Sequence, residues 1–194
     1  MSSSRARNWA RLLATWVALG VALGAGAPAA VAQNRIGVGI DAAFTPQEYD
    51  DIRHAIENWN VALAHRIYFD IAPGRIPSRT MQGEQGVRQA GMQMLRVNSD
   101  HPMLAGPVFK STLAMATGPA ARGFIYVIYN RIPKRGLTGI TMHEMGHSLG
   151  SGHLEKGLME PRYSPKAQRC IDARTMQAVA VAQRVTFDKL DWCR

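Results

Sequence analysis

Histidines 143, 147 and 153, set in the run HEMGHSLGSGH, constrain the fold more than anything else in this chain. On a helix, His143 and His147 differ by only about 40° around the axis, so both rings reach one point beside it. Glu144 brings its carboxylate near the same point from another angle, placed to hold a water rather than to ligate. A third ligand cannot come from further along that face, so the helix must stop and turn. Gly150 stands where the turn is needed, because the residue just past a helix end commonly takes a positive φ that only glycine adopts without steric cost. Gly152 adds freedom, and His153 swings back as the third imidazole. Three neutral imidazoles and one water make the open tetrahedral set of a catalytic zinc, whereas a structural zinc is closed by a fourth protein ligand. The motif predicts one Zn2+ held by His143, His147 and His153, with Glu144 as general base.

The segments before the motif read as an α/β domain. Ile36, Val38 and Ile40 alternate with glycines, predicting a strand. In FTPQEYDDIRHAIENWNVAL, Thr45 caps a helix, Pro46 suits its first position and Glu48 completes a capping box. Tyr49, Ile52, Ile56, Trp59 and Leu63 then recur at spacings of three and four, the buried stripe of an amphipathic helix. Ile67, Phe69 and Ile71 form a second strand, able to pair parallel to the first through a right-handed crossover. An irregular Pro/Gly loop follows, from Pro73 through Pro77 to Gly86. MQMLRV from Met92, STLAMAT from Ser111 and GFIYVIY from Gly123 read as three more strands, the last buried on both faces. A final helix runs from about Asp172 to Val185. His54 and His65 lack partner spacing and read as structural or solvent-facing.

The first 32 residues read differently. Arg5, Arg7 and Arg11 precede the apolar run LLATWVALGVALGAGA and then PAAVA, the order of a secretory signal cleaved after Ala32. Residues 33–194 would then be one domain, secreted or periplasmic and without stable membrane association once cleaved. The rival is an uncleaved anchor, since Leu12 to Ala32 is just long enough to span. Cleavage removes three of 23 basic residues and none of the 14 acidic ones, lowering the net charge from +9 to +6. No basic cluster is interleaved with aromatics, and there is no zinc-finger spacing or phosphate loop, so nucleic acid is not an expected partner. Cys170 and Cys193 are the only cysteines. Export into oxidising conditions predicts a disulfide between them, closing a loop of 24 residues and stabilising by roughly 3 kcal/mol on chain entropy.

HEMGHSLGSGH resembles the extended zinc motif of the metzincin metalloproteases, and the following GLMEPRY resembles the methionine turn and pocket wall of their matrixin branch. The resemblance implies that Met159 lies beneath the zinc and that Pro161, Arg162 and Tyr163 line the pocket for the side chain after the scissile bond. IGVGIDAAFTPQEYDDIRHAIENWN is similar to a matrixin's first strand and helix. LAMA (Leu113, Ala114, Met115, Ala116) resembles the edge strand that pairs antiparallel with substrate. The implied fold is a twisted mixed sheet with an antiparallel edge strand, an N-terminal helix, an active-site helix and a C-terminal helix. The chain departs from the matrixin pattern as well. Of the structural-zinc positions, here His101, Met103, Met115 and Tyr126, only the first keeps a ligand, so no structural zinc is expected. Acidic calcium-binding loops and an inhibitory cysteine propeptide are absent from the pattern. Tyr163 stands four residues after Met159, not two, and is expected as pocket wall rather than ligand.

The function these features imply is a monomeric zinc endopeptidase that holds an extended peptide and cleaves it through a zinc-bound water activated by Glu144. Two rivals are a zinc-containing module that grips peptides without cleaving them and a hydrolase of cell-wall peptides. A general base beside an open zinc position argues against the first; the basic surface suits the second.

Overall fold

The computed structural model describes residues 34–64, 66–76 and 91–193. The segment read as a secretory signal, the loop beyond Ile76 and His65 lie outside the described residues.

Five strands, β1 (Asn34–Ile40), β2 (Ile67–Ile71), β3 (Met92–Val97), β4 (Ala114–Thr117) and β5 (Phe124–Ile128), form one sheet in the order β2-β1-β3-β5-β4. The first four in that order run parallel, and β4 pairs antiparallel with β5 at the edge, Ala116 opposite Ile125. Three helices, α1 (Pro46–Ala62), α2 (Leu137–Ser148) and α3 (Ala173–Gln183), complete the mixed α/β fold.

The start of α1 is dictated locally. Thr45 Oγ1 accepts from the N–H of Glu48 while the Glu48 carboxylate accepts from the N–H of Thr45, and Pro46 opens the first turn. Ile52, Ile56 and Trp59 then enter the main core, none more than 1% exposed. Asn60 joins α1 to β2, its amide donating to the carbonyl of Phe69 and accepting from the same residue's N–H. Trp59 joins α1 to α2: its Nε1 donates to the carbonyl of Met142 at 3.0 Å. Thus the helix that crosses between β1 and β2 also fixes the helix that bears the histidines.

The main core lies on the helix side of the sheet. A smaller cluster of Ile76, Leu95, Val97, Leu104, Tyr126 and Ile128 covers the other face. Among the described residues no helix is long and apolar enough to cross a membrane.

Boundaries differ from the sequence reading at three elements. The fourth strand starts at Ala114 rather than Ser111, because Thr112 is held in a turn by its N–H bond to the carbonyl of Phe109. β5 ends at Ile128, where the chain tightens into a 3-10 turn at Tyr129–Arg131. The last helix ends at Gln183, because Arg184 turns left-handed at φ 54°. Cys170 and Cys193 are disulfide-bonded.

Candidate metal centre

Helix α2 carries His143, Glu144 and His147, and it ends in a Schellman turn. Gly150 takes φ 91°, its N–H bonds to the carbonyl of His147, and the N–H of Ser151 bonds to the carbonyl of Gly146. That turn brings His153 back to the helix face. Gly152 has no positive φ, and a Cβ there would meet nothing within 4 Å, so the freedom it offers is not used.

The three rings converge. Nε2 of His147 lies 3.1 Å from Nε2 of His143 and 3.2 Å from Nε2 of His153. Nδ1 of His143 is 2.7 Å from the carbonyl oxygen of Leu158, and Nδ1 of His147 is 2.9 Å from that of Ser151. A carbonyl only accepts, so each of these Nδ1 atoms carries the proton and each Nε2 presents a lone pair. Lone pairs this close repel unless a cation lies among them. A tetrahedral zinc with Zn–N bonds of 2.0–2.1 Å sets its nitrogens about 3.3–3.4 Å apart, close to what is seen. A proton is the weaker candidate for that cation. Burial, then the neighbouring rings, pushes His143 down to about 4 against the opposing bond to Leu158, and burial lowers His147 as well. The donor set therefore fits a divalent, imidazole-preferring ion.

Glu144 is 7% exposed, and burial raises its carboxyl to about 7, opposed by a hydrogen bond from the N–H of Ala116. That bond also reveals which edge of β4 faces the site. Successive strand residues point their backbone groups to opposite edges. The carbonyl of Leu113 accepts from the N–H of Ile128 toward β5, so Ala114 and Ala116 turn their N–H and C=O groups toward the histidines.

The candidate metal centre sits in a cleft of about 800 Å³. It is lined by Leu113, Ala114, Met115 and Ala116, by Pro161, Arg162 and Tyr163, and by the three histidines and Glu144. The Tyr163 ring packs on the N-terminal end of α2: a Cβ on Gly136 would stand 2.9 Å from its hydroxyl. Met159 is fully buried, with its sulfur beneath Gly146 on the helix between the two ligand turns. His101 lies apart, its Nδ1 accepting from the N–H of Met103 and its ring 6.0 Å from that of Tyr126.

Two supporting residues were not singled out from the sequence. Asp172 accepts from the N–H of Leu158 at 2.8 Å, so the main chain of a single residue stands between its carboxylate and the His143 ring. It also caps α3 through the N–H groups of Arg174 and Thr175. Burial raises its pKa, but these bonds outweigh burial and hold it below the ordinary value. Gly157, at φ 93°, leaves room for that carboxylate, which a Cβ would strike. An aspartate just before an apolar helix is the signal that could have found it as a cap; its reach back to Leu158 was invisible without the fold.

The second is Gln168, 6% exposed on the cleft wall, whose amide nitrogen is placed 3.3 Å from Nδ1 of His143 while its Oε1 has no partner. Since Nδ1 carries a proton, two donors would oppose each other. Turning the amide over puts Oε1 beside Nδ1–H as a second acceptor, and amide orientation is assigned from such networks.

No protein-family model and no curated protein matches the chain. Two solved zinc-protease structures are similar to it. High choriolytic enzyme 1, a hatching-enzyme zinc protease from Oryzias latipes, aligns at 17% identity and TM-score 0.38 over 61% of this chain and 44% of that one. Metalloproteinase-II from Bacteroides fragilis aligns at 11% identity and TM-score 0.46 over 77% and 53%. The chain spans about half the length of each. At these scores the likeness is loose, and the chemistry of the site stands on its own geometry.

Proposed function

We propose that the protein is an exported, zinc-dependent endopeptidase of the metzincin type, matrixin-like in its pocket wall and edge strand. The observation that carries this reading is the convergence of three Nε2 atoms beside a buried carboxylate, in a cleft bordered by an edge strand. His143, His147 and His153 would hold the ion. Zinc bound there supplies Lewis acidity, polarising a carbonyl and acidifying water.

The protein's own groups do the rest. The cleft-facing backbone of Ala114 and Ala116 pairs with an extended peptide by main-chain hydrogen bonds, which tolerate many side chains. Pro161, Arg162 and Tyr163 enclose the side chain that follows the scissile bond, and the disulfide between Cys170 and Cys193 steadies the segment behind them. Glu144 takes the proton of the attacking water and returns it to the leaving amine. Its burial suits this task, because a carboxyl raised toward neutrality exchanges protons more readily than an ordinary one. A binding module would have no use for such a base in that place.

The test is incubation of the purified protein with a denatured protein substrate, with and without a chelator, alongside metal analysis. The reading expects about one zinc per chain and chelator-sensitive cleavage. Cleavage untouched by metal removal, or no metal uptake, would overturn it. Parallel incubation with cell-wall peptides separates a protein-directed enzyme from a cell-wall hydrolase.

A further inference from the structure

Behind the cleft wall, the segment that contains Pro161 and Arg162 continues to a second cavity of about 630 Å³. It is lined by Lys166, Arg169, Cys170, Lys189 and Trp192, three cations and no carboxylate. None of the three cations makes an ion pair among the described residues. Asp191, the acid nearest Trp192 in sequence, is turned back to accept from the N–H of Cys193.

The two segments that bring these charges together are tied twice. Cys170 is bonded to Cys193, and the N–H of Trp192 donates to the carbonyl of Ile171 at 3.0 Å. Lys189 is held in place as well, its ammonium 4.0 Å from the centre of the Trp192 ring. Cations gathered by covalent and main-chain ties repel one another, and a bound anion relieves that repulsion. Arg169 offers a planar fork that matches a carboxylate, and the two lysines offer point charges that tolerate several positions of it.

We propose that this cavity is an exosite for a polypeptide segment rich in aspartate and glutamate. A peptide is favoured over other anions because the chain that forms the cavity also walls the cleft, within the nine residues from Pro161 to Arg169. In calling the bound segment part of a substrate, the proposal rests on the peptidase reading; binding itself does not.

Binding is therefore tested first, by calorimetric titration of the zinc-loaded Glu144→Gln protein with hexaglutamate, hexaglutamine, inorganic phosphate and phosphatidylglycerol vesicles. The expected result is binding of hexaglutamate alone, weakened by added salt. The Lys166→Gln/Arg169→Gln/Lys189→Gln variant should bind it at least tenfold more weakly, since charge-assisted hydrogen bonds are the strong kind. Neutralising Arg122 and Lys134, exposed cations outside the cavity, should change little. The single Lys166→Gln variant, at an exposed position, gives the same direction if the triple one misfolds. Hexaglutamate affinity indifferent to these substitutions, or binding of phosphate or vesicles in its place, would overturn the proposal.

A second arm uses the active protein and two peptides that differ only in an acidic or neutral tail. The acidic tail should lower KM and leave kcat unchanged, and the cavity variant should remove that difference. Equal KM for both tails would refute the substrate assignment. Failure of all cleavage with hexaglutamate still bound would instead count against the peptidase reading.

Discussion

The carboxylate of Asp172 accepts a hydrogen bond at 2.8 Å from the N–H of Leu158, whose carbonyl lies 2.7 Å from Nδ1 of His143. A helix cap thereby orients the ring of a candidate metal ligand. The folded-state pKa of Asp172 is lowered, so its stabilising contribution is complete above its unfolded value near 3.8. That contribution is lost as pH falls through the folded value. Thermal melts of the wild type against Asp172→Asn should therefore converge below pH 4 and separate above it. Asparagine can still cap the helix, so this gap reads the charge, whereas Asp172→Ala should lose a further ~1 kcal/mol with the cap itself. A gap that persists unchanged into acid would show that the charge of Asp172 is not what stabilises.

Glu144→Gln should keep the metal and lose activity by about 10²–10⁴-fold, the usual contribution of a positioned base. Burial lifts the wild-type carboxyl to about 7, and a nearby divalent cation pulls it back toward the ordinary 4.5. The base acts only when ionised, so the acidic limb of kcat/KM should fall between those two values. In the metal-free protein the buried charge destabilises as pH rises through that range. Glu144→Gln should then melt a few degrees higher than the wild type at pH 8. A full-activity Glu144→Gln protein would remove Glu144 from the mechanism.

Gly150→Ala should cost about 1–2 kcal/mol from its positive φ alone, and the added Cβ would stand 2.8 Å from that of Ala182 on α3. The substitution should also loosen zinc, because the turn it disturbs is what returns His153 to the helix. Denaturant melts and chelator competition measure the two effects separately. A weakened fold with unaltered zinc affinity would divorce the turn from the ligand.

Gln168→Leu should lower zinc affinity by about 10–100-fold, the usual cost of removing a hydrogen-bond partner of a ligating histidine. Gln168→Glu, which restores an acceptor beside Nδ1–H, should recover it. Competition with a fluorescent zinc chelator reads both, and the Nδ1 proton resonance of His143 in the metal-free protein gives a signal independent of turnover. Equal zinc affinity in all three proteins would make Gln168 a packing residue.

Much of this molecule was legible in its sequence because the determinants are local. Thr45, Pro46 and Glu48 specify the start of α1 through groups three residues apart, and the alternation in Ile36–Ile40 and Ile67–Ile71 specifies strands without reference to partners. The spacing of His143 and His147 is a property of any helix, and Gly150 marks where such a helix must reverse.

Contacts between distant segments could not be read this way. That Asp172 would reach Leu158, that Gln168 would lie against His143, and that the backbone of Ala116 would hold Glu144 depend on how α3, the pocket wall and β4 pack around α2. The sequence by itself determined which residues could bind an ion, since ligand chemistry and helical periodicity are local properties. Only the tertiary structure decided which ring nitrogens face that ion and which carboxyl is lifted toward neutrality. Tautomers and burial are set by neighbours that the chain brings in from afar.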